Sequence, residues 1–468
     1  MQKRFCALSD DKIARCMEIC SVINSYCWKK IKNRLVLRSG SHSNLSALEN
    51  CKMVLSEKSI NRRSSASRRE AWVVAPFAEF DWWANNRFLH IARCIRDKGY
   101  HVTFFTSRFS HYKKRRKVKP EEEGMNFVMV PELGYPKNVS ARRIVSHGLF
   151  DIFLLLACLK VTLQRKSPQA IYCAIPHNFG GAAVGLLSKR MKSKFVVDVH
   201  DTWPESIIGI LKTRKWHSPI YRIWKLAADL AIFQAHSVFA ESLKYTERAN
   251  SVRIPRKKSP AKCIYLGGDI EFYRKGNGNV RLPSTIENAK MRFVYVGNLG
   301  VKNDLEFVIE VFGELQKTHP ETGLVLLGGG ELEIALRKLA KKLAINAWFS
   351  GRIDLNNMIS VLGKMDYGIN SFVPQEHVAY SYKLNDYFLA GIPVLNSIRG
   401  EVRDLVIDRE LGYNYNASNP DDLLRVLVLA CEDRRKEELR ENVRLFVSEY
   451  LDWRESYKPL IKELITIP

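Results

Sequence analysis

Lys383 and Asp386, in the stretch YSYKLNDYFLAGIPVL (380–395), stand three residues apart, so a helix there sets an amine and a carboxylate on one face. Ser381 is placed to cap that helix, which puts Lys383 in its first turn. A lysine at this end opposes the positive pole of the helix dipole, a penalty that a bound anion reverses. A second lysine, Lys302, follows the turn YVGNLGVK (295–302), in which Gly297 and Gly300 close an apolar run. LLGGGELE (326–333) repeats the device with Gly329 and Gly330. Glycines at strand ends let backbone N–H groups approach phosphate oxygens at a helix start. Lys302 and Lys383 could therefore meet one diphosphate between them. Neither turn is Gly-x-Gly-x-x-Gly or a Walker loop, which counts against nicotinamide binding and ATP hydrolysis.

A second group lies earlier in the chain. VVDVHDTWPES (196–206) closes an apolar run with His200, Asp201, Trp203 and Glu205, and AIPHNFGG (174–181) sets His177 before a glycine-rich helix start. Open α/β sheets bind ligands at the carboxyl ends of their strands, where these residues fall. The same residues admit a purely structural role: Asp201 and Trp203 capping and packing the next loop, and His177 an ordinary loop histidine.

The elements that must carry these residues alternate. AWVVAPF (71–77), RFLHIARCIRDKGY (87–100) and HVTFFTS (101–107) read as strand, helix and strand. QAIYCAI, GGAAVGLLSKRMK and KFVVDVHD repeat the unit over 169–201. A second series starts near Arg292 and runs through MRFVYVGNLG, DLEFVIEVFGELQKT, GLVLLGGG, ELEIALRKLAKKLA, AWFSG, LNNMISVLGKM and YGINSF. Strands alternating with helices imply parallel sheets covered on both faces. The predicted fold is α/β, with two doubly wound Rossmann-like domains facing across a cleft, preceded by a polar N-terminal extension. The boundaries are a basic extension and linker over 1–70 with a short helix at 11–31, a first domain over 71–275 and a second over 290–449. An amphipathic helix at about 450–468 is expected to return to the first domain.

Composition narrows the function. With 46% hydrophobic and 26% charged residues the chain is globular rather than disordered. A net charge of +25 calls for an anionic partner. The basic run HYKKRRKVK (111–119) reads as a solvated face or, being close to the apolar SARRIVSHGLFDIFLLLACLK (140–160), as a docking face for an anionic membrane surface. No recognition-helix or aromatic-basic pattern supports nucleic acid. IFLLLACL (152–159) falls short of the roughly 20 residues of a membrane span, so none is expected. The ten cysteines form no Cys-x-x-Cys pair, which argues against zinc or a redox dithiol and for reduced thiols in the cytosol. There is no signal-peptide layout.

In their order, FVYVGNLG, LVLLGGGELE, AWFSGRI, YGINSF and SYKLNDYFLAGIPVL resemble the GT-B glycosyltransferases of glycosyltransferase family 4. VVDVHDTWPES is similar to an element of its bacterial O-antigen and capsule enzymes, and CIYLGGDIEFY (263–273) to the segment closing the first domain. The resemblance spans 71–468. It implies an acceptor-binding first domain and a donor-binding second domain. Lys302 and Lys383 would bind the donor diphosphate with the backbone at Gly297 and Gly300. Gly329 and Gly330 would shape the nucleotide pocket, Arg352 and Ile353 would lie near the base, and Leu384 and Asp386 beside Lys383, with Asp386 near the ribose. The family's first acid, eight residues before Asp386, is replaced by Val378, with Glu376 two residues earlier. The glycine pair usual after the first strand is replaced by PFAEFDWWANN. His177, His200 and Asp201 are the catalytic candidates near the acceptor.

The implied reaction is sugar transfer with retention from a nucleotide-sugar to a glycan or polyprenyl-linked acceptor, in surface polysaccharide biosynthesis, with neither cofactor nor metal. The expected location is the cytoplasm, peripheral on the cytoplasmic face of the inner membrane. The alternatives are a non-catalytic GT-B-fold binding protein and a sugar-nucleotide epimerase.

Overall fold

The computed structural model describes residues 69–465 except 82, 137–139, 207–218, 277 and 376–377. The expected helix at 11–31 lies outside the described residues. Strands β1 (Arg69–Val74), β2 (Tyr100–Ser107), β3 (Met125–Val130), β4 (Ala170–Ile175), β5 (Lys194–Val199), β6 (Ser237–Ala240) and β7 (Lys262–Cys263) form one sheet in the order β3-β2-β1-β4-β5-β6-β7. Strands β8 (Met291–Val296), β9 (Thr322–Leu327), β10 (Ala347–Gly351), β11 (Tyr367–Asn370), β12 (Val394–Asn396) and β13 (Gly412–Asn414) form a second, in the order β10-β9-β8-β11-β12-β13. Every neighbouring pair is parallel, as the alternation of strand and helix requires. In each sheet the strand order reverses once, between β1 and β4 and between β8 and β11. Such reversals open a crevice at the strands' carboxyl ends.

The helices of eight residues or more are α1 (Arg87–Asp97), α2 (Ala141–Gln164), α3 (Asn178–Met191), α4 (Pro219–Gln234), α5 (Leu243–Arg253), α6 (Leu305–Thr318), α7 (Glu333–Lys342), α8 (Leu355–Leu362), α9 (Tyr382–Leu389), α10 (Glu401–Asp408), α11 (Pro420–Glu432), α12 (Lys436–Phe446) and α13 (Lys458–Ile465). They cover both faces of each sheet, because successive strand residues point to opposite sides. In β1, Ala71 and Val73 face a core built with Leu89, Ile91 and Ile95 of α1 and Leu460, Ile461 and Leu464 of α13. Trp72 and Val74 face another, with Phe150 and Leu154 of α2, Val184 of α3 and Ile232 of α4. The C-terminal helix thus fills one face of the first sheet.

The length expected for one apolar segment is corrected. The apolar run 152–159 is the middle of the 24-residue α2, which by length and composition alone is long and apolar enough to cross a membrane. Its inner side, Phe150, Leu154, Cys158 and Val161, is buried in the first domain. Its outer side exposes Ile152, Phe153, Leu156, Leu159 and Leu163.

Candidate active site

The donor side is organised by α9. Ser381 caps the helix in extended backbone, its hydroxyl accepting from the Leu384 N–H at 3.4 Å. Lys383 in the first turn is nonetheless buried. Its Nζ donates to Asn303 Oδ1 at 2.8 Å and to the Tyr295 hydroxyl at 3.3 Å, and lies 4.0 Å from the Phe372 ring centre. Among the described residues no carboxylate forms an ion pair with it, and burial pushes its pKa down to about 7. An amine buried on neutral partners is electrostatically incomplete, the condition that an anion relieves.

Around the amine, the loops after β8 and β9 press backbone on backbone. A Cβ on Gly328, at φ +139°, would fall 1.9 Å from the Gly297 carbonyl oxygen, and one on Gly330 would fall 2.3 Å from that of Leu299. Side chains are excluded there, and the loops are tied by Leu299 N–H to Gly329 O and Leu332 N–H to Leu299 O. A Cβ on Gly297 would lie 3.8 Å from Lys383 Cε, so this loop roofs the lysine. Gly300 opens the 3-10 turn Val301–Asn303. That turn carries exposed Lys302 beside Asn303, and the Lys302 carbonyl accepts from Val373 N–H at 3.0 Å. Asn303 therefore joins the two predicted lysine segments. Arg352 is exposed, its Cγ 3.3 Å from a Cβ placed on Gly329, and Ile353 is partly buried against the core. Leu384 is fully buried in that core, and Ser381 takes its N–H, so its side chain does not reach the site.

Asp386 engages the other half of the molecule. Its Oδ1 accepts from Asn85 Nδ2 at 2.6 Å and from the Tyr273 hydroxyl at 2.7 Å. Burial pushes its pKa up to about 7, against the lowering effect of those two donors. Val378 packs against the core, and Glu376 lies outside the described residues.

The second predicted group lies at the ends of β1, β4 and β5. A cleft there is lined by Phe77, His111, Arg143, His200 and Asp201, with Tyr382 of α9 reaching in from the second domain. His200 sits between two carboxylates, Nδ1 2.8 Å from Glu241 and Nε2 3.0 Å from Asp198. Burial opposes its charge, but the carboxylates outweigh burial and raise its pKa to about 9. Both ring nitrogens face carboxylate oxygens, an arrangement that favours the imidazolium over the neutral ring. Asp198 is also gripped by Arg87, at 2.7 and 3.1 Å, and by the Tyr172 hydroxyl. Asp201 accepts from Trp203 Nε1 and Thr202 N–H, each at 2.7 Å, the loop-capping role that its sequence position also allowed.

His177 precedes α3 at φ +125°, with Nδ1 2.9 Å from Asp151 and Nε2 buried without a partner among the described residues. It packs on Phe77 and on His147, and His147 stacks on Trp203 with ring centres 5.4 Å apart. Burial, with Lys114 and Arg143 nearby, pushes His111 down to about 3, and burial next to His177 pushes His147 far down. Part of the basic run is internal as well, since Lys117 Nζ donates to the Ala78 carbonyl at 2.6 Å.

Comparison with known proteins bears on the fold. Residues 280–445 match the model of a family described as glycosyl transferases group 1, which falls on the second domain. No curated protein matches the chain by sequence. Among solved structures, Anabaena HepE in complex with UDP and glucose is 15% identical with a TM-score of 0.57, covering 86% of this chain and 100% of its own. Sucrose-phosphate synthase from Thermosynechococcus elongatus is 15% identical at TM-score 0.61, covering 84% and 97%. WaaG, a glycosyltransferase involved in lipopolysaccharide biosynthesis, is 14% identical at TM-score 0.56, covering 85% and 100%. At this identity the likeness defines the fold, which is GT-B. The second domain carries the group 1 glycosyltransferase pattern.

Proposed function

We propose that the protein is a retaining glycosyltransferase moving a sugar from a nucleotide-sugar to a glycan or polyprenyl-linked acceptor in surface polysaccharide biosynthesis. The observation that carries this reading is the buried Lys383 amine, lacking a carboxylate partner among the described residues, beneath the Gly297 loop at the strand-order reversal of the second sheet. With Lys302 alongside, it would receive the donor diphosphate, stabilising the charge that grows on the departing group. Asp386 would take the ribose, and Gly329, Gly330 and Arg352 would border the base. The reaction needs no resident metal on this reading. The cleft below His177, His200 and Asp201 would hold the acceptor away from water. There His200, held between Asp198 and Glu241, would form part of a fixed wall of the cleft.

The outer stripe of α2 favours a membrane-borne acceptor. Its apolar residues are flanked by exposed Arg142, Lys160, Arg165 and Lys166, and the helix's one acid, Asp151, is buried. Such a face suits an anionic bilayer, here the cytoplasmic face of the inner membrane.

The test is to incubate the protein with UDP-, GDP- and ADP-sugars, with and without polyprenyl-linked saccharides in phosphatidylglycerol vesicles. Acceptor-dependent sugar transfer is expected. Conversion of a sugar nucleotide without acceptor would identify an epimerase, and no turnover with any pair would favour a binding protein.

A further inference from the structure

Asp386, Asn85 and Tyr273 meet from three separate parts of the chain. Asp386 is on α9 of the second domain, Asn85 on the turn before α1 of the first, and Tyr273 on the short helix Ile270–Lys275 after the first sheet. They close a ring. Asn85 Nδ2 donates to the Tyr273 hydroxyl at 2.6 Å and to Asp386 Oδ1 at 2.6 Å, while the Tyr273 hydroxyl donates to the same Oδ1 at 2.7 Å. The Asn85 amide thus spends its nitrogen inside the ring and leaves its own Oδ1 buried without a partner. An orphaned acceptor is costly, so the ring rather than local packing sets the orientation of this amide. Gly268 makes room for it, since a Cβ there would fall 2.2 Å from Leu389 and 2.9 Å from Asn85 Oδ1.

Both donors fall on one oxygen. Among the described residues Asp386 Oδ2 makes no hydrogen bond. A carboxylate anchored through one oxygen has its second lone-pair set aimed in a fixed direction, which is how a carboxylate is prepared to receive paired hydroxyls.

We propose that Asn85 and Tyr273 are positioning residues that anchor Asp386 through Oδ1 and present Oδ2 to the ribose hydroxyls of the donor nucleotide. The inference rests on the donor-site reading above and extends it by making a first-domain side chain part of nucleotide selection. Affinity for the sugar hydroxyls of the nucleotide then depends on the two halves of the molecule being together. The diphosphate end, held by second-domain residues, does not share that dependence.

The experiment measures dissociation constants by isothermal titration calorimetry for UDP, GDP and ADP and for the 2′,3′-dideoxy form of whichever binds best. Wild-type protein is expected to prefer the ribonucleotide by about tenfold. Tyr273→Phe and Asn85→Ala should each lose most of that preference while binding the dideoxynucleotide as wild type does. Lys383→Ala should weaken both nucleotides and keep their ratio. If the wild type prefers the ribonucleotide and both variants keep the full preference, the positioning role is overturned. If the wild type binds both forms equally, the ribose assignment of Asp386 fails with it. Binding of none of the three nucleoside diphosphates would instead overturn the donor-site reading on which the inference stands.

Discussion

The two sides of the cleft handle charge in opposite ways. On the first-domain side two buried cations lie on carboxylates: Arg87 on Asp198, and His200 between Asp198 and Glu241. On the donor side Lys383 rests on Asn303, Tyr295 and Phe372, and burial moves both it and Asp386 to pKa values of about 7. A satisfied network gains little from a ligand's charge and serves as a rigid wall. An unsatisfied one destabilises the free protein and recovers that energy when an anion arrives. The difference teaches where substrate charge is read.

The largest expected effect is on stability, from the satisfied side. Asp198→Ala leaves Arg87 and His200 facing each other without their shared carboxylate, and should cost about 4 kcal/mol in chemical denaturation. Lys383→Met should do the reverse, raising stability of the ligand-free protein at pH 7 by about 2 kcal/mol while lowering turnover by roughly 10²–10³-fold. A lysine that was an ordinary structural residue would show loss or retention of both together.

The pH dependence of stability separates the two sides by sign. The pKa of His200 is raised in the folded state to about 9, so its contribution is full below about 6.5 and is lost as pH rises through 9. That of Lys383 is lowered to about 7, so its penalty is full below 7 and fades as pH rises toward about 10.5. Relative to wild type, His200→Gln should therefore lose about 3 kcal/mol at pH 6 and little at pH 9.5. The advantage of Lys383→Met should shrink by roughly half between pH 7 and 9. Denaturation curves at these pH values measure both. The smallest effect is local: Ser381→Ala removes the cap of α9 at about 1 kcal/mol, with a modest loss of nucleotide affinity as the first turn loosens.

How much was legible in the sequence follows the same division. The Ser381 cap, the first-turn Lys383 and the glycine turns are local patterns, and α9 and the loops after β8 and β9 carry them as read. The partners of Lys383, by contrast, are 80 and 88 residues away, and Asn85 is 301 residues from Asp386. Such contacts depend on how strands stack and how the sheets meet, which no local spacing encodes. Of the two carboxylates on His200, Asp198 stands two residues before it in the same stretch, but Glu241 arrives from the end of β6, 41 residues later, which no local spacing shows. The extent of α2 was hidden because His147, Gly148 and Asp151 interrupt its apolar run, although His147 and Asp151 are buried on its inner side.

The central claim, that Lys383, which has no carboxylate partner among the described residues, is placed to receive a diphosphate, is tested most directly by proton linkage. Calorimetric titration of the preferred nucleoside diphosphate at pH 8, in two buffers of different ionisation enthalpy, counts the protons taken up on binding. Lys383 is mostly neutral at that pH, and pairing with the diphosphate raises its pKa, so wild-type protein should take up close to one proton. Lys383→Met should take up none and bind more weakly. Buffer-independent heats in the wild type, or equal affinity and equal proton uptake in the variant, would contradict the account.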